Sequence, residues 1–157
     1  MSAFFNKIQT VLNNRTTYTV GLLQTKAYRT LKQSTTQSLE KYDISALEWG
    51  FVGALYSTPA GMLQGEIAEV LGVEAPFITV LTTSLVKKGL IEKKHSPKDS
   101  RAKITCITPY GKVFVENTEK HLLVATRPLL ADVSARDIVG YLTVLEKIIE
   151  NSKLQVK

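Results

Sequence analysis

The residues with the clearest chemical potential in this sequence form a dense cluster of cations between residues 87 and 103. This segment contains seven basic and two acidic residues, for a net charge of +5. The basic residues are Lys87, Lys88, Lys93, Lys94, Lys98, Arg101 and Lys103, and the acidic residues are Glu92 and Asp99. Cations at this density attract polyanions, because binding to phosphates releases condensed counterions. A solvated surface without a partner is the alternative interpretation, and the choice between them depends on the elements that carry the cluster.

A second set of candidate residues comes shortly before this cluster. Thr79, Thr82 and Thr83 carry hydroxyls that can hydrogen-bond bases or phosphates, and Ala75, Pro76 or Val80 can contact a thymine methyl. Threonine hydroxyls discriminate poorly between bases. We interpret the three threonines, Ala75 and Pro76 as candidate DNA contacts, with packing inside the protein as the alternative.

Catalytic and metal-binding chemistry have no comparable signal. The sequence contains one cysteine, Cys106, and two histidines, His95 and His121. This set provides neither an internal disulfide nor a zinc-type ligand spacing. A nucleophile triad, a glycine-rich phosphate loop and a catalytic carboxylate pair also have no recognisable signature. We expect no enzymatic activity, no cofactor and no metal, with His121 in a packing or hydrogen-bonding role.

Length and composition point to one domain. The chain has 157 residues, of which 44% are hydrophobic, and a formal net charge of +6. That is enough apolar material for a core, and the positive charge favours a polyanionic partner. No run approaches the roughly 18 to 20 apolar residues of a membrane span, and the first residues lack a secretory pattern. We expect a cytoplasmic protein without a membrane contact.

Hydrophobic periodicity predicts helices at both ends of the chain. In the N-terminal part it indicates a short helix over residues 4–12 and a long one over about 17–38. In the C-terminal part a helix begins near Pro109 and is interrupted before Pro128, and a last helix follows Ser134 as its cap.

The middle of the chain predicts two short helices joined by a tight turn. Ser45 and Glu48 form a capping-box pattern at the start of a preceding, buried helix. The next helix ends at Gly72, and another begins at Pro76 and ends at Gly89. The connection of about three residues between these two helices has the size of a helix-turn-helix, for which an ordinary helical hairpin is the alternative.

The pattern then changes from helical to extended. Residues 90–94 and 103–107 predict the two strands of a β-hairpin with a basic tip. Ile104 and Cys106 fall on the same face of the second strand, and we expect Cys106 to be a buried, inert thiol rather than a redox sensor. A helix-turn-helix followed by a basic hairpin is the plan of a winged helix, in which one helix enters the major groove and the wing reaches the backbone or minor groove.

Four segments carry a recognisable local pattern. They are Leu85-Val-Lys-Lys-Gly-Leu-Ile91, Ser96-Pro-Lys-Asp-Ser-Arg101, Ile104 and Thr108-Pro-Tyr-Gly111. The spacing of Asp99, Arg101, Thr108 and Gly111 resembles the signature of the MarR family (multiple antibiotic resistance regulators) of bacterial transcription regulators. The order of the predicted helices is similar to that of the family from about residue 17 to residue 150.

This resemblance implies a mainly α fold with a small β-hairpin wing. Residues 1–157 form a single domain, with residues 44–108 as the winged-helix DNA-binding lobe and residues 1–42 and 110–157 as helical dimerisation regions. The two lobes of a homodimer then meet successive major grooves of a pseudo-palindromic operator in double-stranded DNA. The apolar stripes of the terminal helices suit such a two-fold interface, and packing onto the chain's own core is the alternative.

The resemblance also assigns roles in the predicted wing. Arg101 matches the wing arginine of the family, and Asp99 braces its guanidinium, since a carboxylate two residues away can hold it in a fixed orientation. Lys98 and Lys103 are then phosphate contacts, with exposed turn residues as the alternative interpretation.

The predicted recognition helix departs from the family pattern. The family commonly has Arg or Lys just after the position of Thr79 and again four residues on, where this chain has Val80 and Ser84. A helix without a bidentate arginine must read DNA shape, thymine methyls or bridging waters. The alternative function is a degenerate winged-helix module that binds a protein partner through an exposed patch of Phe77 and Val80.

Regulators that resemble this chain often bind a small aromatic or anionic effector between the dimer base and the lobe. Trp49, Phe51, Tyr56 and Tyr28 are candidates for the walls of such a pocket, with core packing as the alternative. We predict a transcription regulator whose operator binding is modulated by a small-molecule effector. A repressor is the simplest interpretation, and the residues fit an activator equally well.

Overall fold

The computed structural model describes residues 17–96 and 103–154. The elements in chain order are α1 (Thr17–Glu40), α2 (Ala46–Tyr56), α3 (Gln64–Leu71), α4 (Ala75–Lys87), β1 (Ile91–His95), β2 (Lys103–Ile107), α5 (Pro109–Thr126), a short 3-10 helix (Arg127–Leu130) and α6 (Ala135–Leu154). The prediction of a mainly α winged-helix fold with a small hairpin is confirmed. The predicted helix over residues 4–12 lies outside the described residues.

Local interactions explain where the helices begin and end. Ser45 caps α2 in the predicted capping box: the Glu48 backbone N–H donates to Ser45 Oγ at 3.1 Å and the Ser45 N–H donates to Glu48 Oε2 at 2.9 Å. Gly72 ends α3 in the left-handed region with φ of 63°, which glycine adopts without steric cost. Pro76 lies in the first turn of α4, where its missing N–H costs no helical hydrogen bond.

The two strands pair antiparallel, with Ile91 opposite Ile107 and His95 opposite Lys103. The other edge of β2 is met by Met62, whose backbone exchanges two hydrogen bonds with Thr105 at 2.8 and 3.0 Å. This extra pairing leaves the hairpin anchored to the loop before α3.

The buried face of β2 is not the one that contains Cys106. Thr105 and Ile107 are buried, whereas Ile104 and Cys106 are half-buried. The expectation of a buried Cys106 is therefore corrected. The physical reason is that side chains alternate along a strand, so Thr105 turns inward with Ile107 and sends its neighbours to the other face.

The first of two compact units ends at Thr126 and contains the hydrophobic core. Fully buried side chains from α2, α3 and α4 form its centre, and they are Phe51, Val52, Leu55, Ile67, Ile78 and Leu85. Burying each large apolar side chain contributes about 1.5 to 3 kcal/mol relative to exposing it. The core therefore fixes the helix-turn-helix to α2.

The turn after α1 is tied to α5 by an aromatic cluster. The Tyr42 ring meets Phe114 edge to face with centroids 5.8 Å apart, and the Tyr42 hydroxyl is hydrogen-bonded to His121 Nδ1. His121 Nδ1 also lies 3.0 Å from the Asn117 carbonyl oxygen. His121 thus has the hydrogen-bonding role expected from the sequence.

The second unit begins at Arg127 and consists of the 3-10 helix and α6. Ser134 caps α6 as predicted, because its Oγ accepts the Asp137 backbone N–H at 3.2 Å and its hydroxyl donates to the Asp137 carboxylate at 2.6 Å.

No single helix in residues 17–96 and 103–154 is long and apolar enough to cross a membrane. Helices α3 and α4 reach that length and hydropathy only as a pair, which is bent by 104°.

Candidate nucleic-acid interface

Helix α4 exposes one face of the helix-turn-helix to solvent. Its inward residues are Ile78, Leu81, Thr82 and Leu85, all of which are buried. The opposite, exposed stripe of the helix consists of Pro76, Val80, Thr83 and Lys87, which are spaced four, three and four residues apart. Val80 is 65% exposed and the flanking Phe77 is 51% exposed. This outward stripe together with Phe77 and Thr79 is called the outer face of α4 below.

The three threonines that the sequence grouped together are separated by the helical period. Thr79 and Thr83 are exposed, and the Thr83 hydroxyl donates to the Thr79 carbonyl oxygen at 2.9 Å. Thr82 is 0% exposed and donates to the Ile78 carbonyl oxygen at 2.7 Å. Thr82 is therefore corrected from a candidate DNA contact to a core residue, because its position places it between Ile78 and Leu85 on the inward stripe.

Ser84 also faces into the protein. Its hydroxyl donates to Glu48 Oε1 at 2.6 Å, which links α4 to the start of α2. The same carboxylate is paired with Lys88, whose Nζ lies 3.2 Å from Oε1. Of the two departures from the family pattern noted in the sequence, Val80 is thus on the outer face, whereas Ser84 serves an internal contact.

The Glu48 site is a functional feature that sequence reasoning missed. Burial raises the pKa of Glu48, but hydrogen bonds from Ser84, Ser45 and Lys88 outweigh burial, so the pKa lies below its ordinary value. The capping-box spacing of Ser45 and Glu48 was visible in the sequence. That this carboxylate also holds α4 required the tertiary fold, since Ser84 is 36 residues away.

Lys88 belongs to this internal site rather than to the exposed cations. Besides Glu48, its ammonium donates to the Asp43 carbonyl oxygen and lies 4.0 Å from the Asp43 carboxylate. Asp43 has a left-handed φ of 51°, a conformation that aspartate tolerates better than most residues. One of the seven basic residues of the cluster is therefore used to join the turn after α1 to the end of α4.

The described part of the hairpin presents further cations to solvent. Lys93 and Lys103 are exposed, and Lys94 pairs with Glu92 at 2.8 Å across the surface. The hydrogen bond and charge of Glu92 raise the pKa of Lys94, so Lys94 remains a cation. The predicted wing contacts Lys98, Asp99 and Arg101 lie outside the described residues and remain predictions.

Thr108 and Gly111 join the hairpin to the end of α4. The Thr108 hydroxyl donates to the Gly89 carbonyl oxygen at 2.7 Å, and Thr108 Oγ1 accepts the Gly111 backbone N–H at 2.9 Å. A Cβ added to Gly111 would overlap the Leu90 carbonyl oxygen and lie 2.8 Å from Ile107 Cγ1. This part of the quoted signature therefore has a packing role.

The four predicted pocket residues are not gathered around one cavity. Phe51 is fully buried in the core, so its prediction as a pocket wall is wrong. Trp49 is half-buried, with an Nε1 that has no hydrogen-bond partner in the described part of the chain. Tyr56 is exposed and donates to Glu116 Oε1 at 3.1 Å, and Tyr28 is exposed on α1.

An open depression of about 390 Å³ follows α1 instead. It is lined by Arg29, Lys32, Gln33, Thr36, Gln37 and Glu40. None of the four predicted aromatic residues contributes to it. The predicted effector residues do not line this depression, and the effector site therefore remains a prediction.

Comparison with known proteins relates this arrangement to a family. A sequence model of the MarR family matches residues 42–102, which contain α2, α3, α4 and β1. Staphylococcus aureus MepR, solved in its DNA-binding conformation, is 25% identical with a TM-score of 0.73, covering 84% of this chain and 97% of MepR. These similarities include the elements that form the outer face of α4.

Two further similar structures concern small molecules. CouR from Rhodococcus jostii, solved bound to p-coumaroyl-CoA, is 16% identical with a TM-score of 0.77, covering 82% of this chain and 90% of CouR. BpsR from Bordetella bronchiseptica, whose DNA binding is regulated by 6-hydroxynicotinic acid, is 19% identical with a TM-score of 0.70, covering 82% of this chain and 91% of BpsR. At these identities the likeness shows a shared fold.

Proposed function

Since this chain is a winged-helix protein of the MarR family, we propose that it is a homodimeric transcription regulator that binds double-stranded DNA, most simply as a repressor, and has no enzymatic step. The observation that carries the proposal is the exposed outer face of α4, followed directly by residues 87–103 with a net charge of +5. The second helix of a helix-turn-helix enters the major groove, and cations beside it neutralise phosphates.

The wing supplies the second contact. Arg101 reaches the DNA beside the groove occupied by α4, and Asp99 orients its guanidinium. Lys98 and Lys103 contact phosphates. The exposed position of Lys103 at the start of β2 supports this assignment.

On the recognition helix, the proposed contacts are the candidates that remain exposed. They are Ala75, Pro76, Thr79 and Thr83. The first residues of a recognition helix approach base edges, which suits Ala75 and Pro76 in the first turn of α4. Thr83 retains its acceptor lone pairs and its methyl group for a base edge.

Dimerisation is supported by the composition of α6. Tyr141, Leu142, Ile148 and Ile149 share one stripe of this helix, and each is about half exposed. An apolar stripe of this length on a soluble helix needs a covering surface, and a second copy of the chain provides one under two-fold symmetry. The proposed dimerisation regions are residues 1–42 and 110–157.

Effector control is proposed from the relatives. CouR was solved with an acyl-CoA, and BpsR is regulated by an aromatic acid. A small aromatic or anionic ligand that prefers one arrangement of the dimer would shift it between DNA-compatible and incompatible states, and DNA would weaken ligand binding by the same factor. Trp49, Tyr56 and Tyr28 remain the candidate contacts.

A second candidate function rests on the apolar part of the outer face of α4. Phe77 and Val80 are both more than half exposed and lie three residues apart on α4, so they form a contiguous apolar patch of the kind that can mark a protein-interaction site. In this alternative, the winged helix binds a protein surface and has lost operator recognition.

Fluorescence anisotropy across a series of salt concentrations separates the two functions. The purified protein is titrated with the DNA upstream of its own gene and with an unrelated duplex of equal length. Saturable binding that prefers the upstream fragment at near-physiological salt is expected for a regulator. Equal, weak binding to both duplexes that is lost steeply with salt would refute operator recognition.

Arg101→Ala tests the wing in the same assay. We expect affinity for the preferred duplex to fall by about ten-fold, while light scattering still reports a dimer. Lys147→Ala is the matched control, because it removes a cation outside residues 44–108, on the side of α6 away from its apolar stripe, and its partner is the surface residue Glu150. Unchanged affinity in Arg101→Ala would remove the wing arginine from the mechanism.

A further inference from the structure

Residues 75–86 of α4 lack the charged and amide side chains that usually read bases. Residues 75–86 contain no Arg, Lys, Asn, Gln, Asp or Glu, and the first cation of the outer stripe is Lys87 at the end of the helix. Arginine on guanine and asparagine or glutamine on adenine are the common bidentate contacts in the major groove. None of these contacts is available to residues 75–86.

The hydroxyl donors of this helix are largely occupied. Thr82 donates to the Ile78 carbonyl oxygen at 2.7 Å, Thr83 donates to the Thr79 carbonyl oxygen at 2.9 Å, and Ser84 donates to Glu48 Oε1 at 2.6 Å. Apart from Thr79 and the terminal Lys87, the helix presents apolar groups outward: the Val80 isopropyl group, the Phe77 ring, the Pro76 ring and the Thr83 methyl group.

An apolar surface in this setting has one chemical counterpart in duplex DNA. The C5 methyl of thymine is the apolar group that a base pair displays in the major groove. The surrounding charge favours DNA over an apolar protein surface, because Lys87, Lys93 and Lys103 are exposed in the segment of net charge +5. Glu74 is an exposed carboxylate at the start of the helix and lies before its first turn.

We propose that the outer face of α4 selects its DNA site through thymine C5 methyl groups, with Val80 as the main specificity-determining residue and Phe77 as the second contact. This inference rests on the proposed function of DNA binding. Val80 lies in the middle of the outward stripe and is the more exposed of the two side chains. Shape and phosphate contacts then supply affinity, and the methyl contacts choose the sequence.

Deoxyuridine substitution tests the proposal directly. Preferred duplexes are first selected with the full-length protein from a random-sequence library. Each thymine of the selected half-site is then replaced by deoxyuridine, which keeps Watson–Crick pairing and removes only the methyl group. We expect affinity to fall roughly four-fold at each contacted thymine, the effect of losing one buried methyl-sized group.

Two valine variants assign the contact to a residue. In Val80→Ala, the difference in affinity between thymine and deoxyuridine duplexes should disappear at one position of each half-site. The salt dependence of the affinity should be retained. Val86→Ala is the matched control, because Val86 is also exposed on α4 but lies off the outward stripe, and it should keep the full difference. Circular dichroism checks that both variants are folded.

The outcomes separate this inference from the function on which it rests. A selected duplex that binds equally well with deoxyuridine at every position would overturn methyl recognition and leave DNA binding intact. A thymine preference that persists in Val80→Ala and in Phe77→Ala would overturn the residue assignment. Failure to enrich any sequence, with binding to random duplexes lost at moderate salt, would refute the proposed function itself.

Discussion

Glu48 illustrates how one side chain in this molecule holds several segments. Its carboxylate accepts the Ser45 backbone N–H, the Ser84 hydroxyl and the Lys88 ammonium, at 2.9, 2.6 and 3.2 Å. The residue is 7% exposed, so each of these groups would lose a partner in a poorly solvated position if the carboxylate were removed. Glu48 therefore holds the C-terminal end of α4 from the start of α2.

The charge of Glu48 gives a pH-dependent prediction. Glu48→Gln should lower the free energy of unfolding at neutral pH by about 1 to 2 kcal/mol, because the amide cannot replace all three carboxylate contacts. The lowered pKa means that the ionised form stabilises the fold above the ordinary glutamate value of 4.5, and that this contribution is lost as the pH falls through the lower, folded-state pKa. The stability difference between wild type and variant should shrink accordingly in acid.

Urea denaturation at a series of pH values measures this difference. Glu92→Gln is the matched control, since its pair with Lys94 is exposed on the surface and such pairs contribute little. A difference between wild type and Glu48→Gln that stays constant from neutral to acidic pH would contradict the proposed role of the charge.

At the scale of elements, the beginning of α5 is packed against the link between α4 and β1. Thr108 bonds the Gly89 carbonyl oxygen and receives the Gly111 N–H, and Gly111 lies against Leu90 and Ile107. A side chain at position 111 has no space because the Leu90 backbone occupies it. The direction of the hairpin relative to α4 depends on this close approach.

Gly111→Ala should therefore destabilise the protein by about 1 to 3 kcal/mol, the typical cost of overpacking. Gly53→Ala is the control in another helix of the same unit: an added Cβ there meets nothing within 4 Å, and alanine in a helix interior gains about 0.5 to 1 kcal/mol over glycine. Thermal and urea unfolding of the two variants measure the contrast. Equal stability of the two variants would contradict the packing role of Gly111.

At the scale of the whole molecule, charge and symmetry determine how the protein would meet DNA. The formal net charge of +6 per chain becomes +12 in a dimer, which strengthens the attraction to a duplex and its salt dependence. Two lobes related by a two-fold axis require two half-sites about one helical turn apart. Sequence recognition by the proposed dimer would therefore depend on the dimer interface as well as on α4.

The apolar stripe of α6 provides a test of that interface. The double variant Leu142→Glu with Ile149→Glu should be monomeric at micromolar concentration, because charges on both residues cannot be buried against a second copy. Thr143→Glu is the control, since it adds a charge on the opposite side of the same helix. Sedimentation velocity reports the masses, and a double variant that remains a folded dimer would refute α6 as the interface.

Much of the local structure followed from the sequence alone. Ser45, Gly72, Pro76 and Ser134 end or begin helices through contacts within a few residues, so their effects are readable without a fold. The same holds for the second strand of the hairpin, whose side chains alternate with period two. The family resemblance depended on the same kind of short-range spacing.

Only the tertiary structure decided which side of each element is buried. Thr82 and Ser84 have the same chemistry as Thr79 and Thr83, but Thr82 is fully buried and the Ser84 hydroxyl donates to Glu48, so neither is free on the outer face of α4. Phe51 is core and Thr105 points inward for the same reason: orientation depends on partners distant in the chain, such as Met62 and Glu48. Residue types determined the kind of chemistry available to this protein, and packing between distant segments determined which residues are free to perform it.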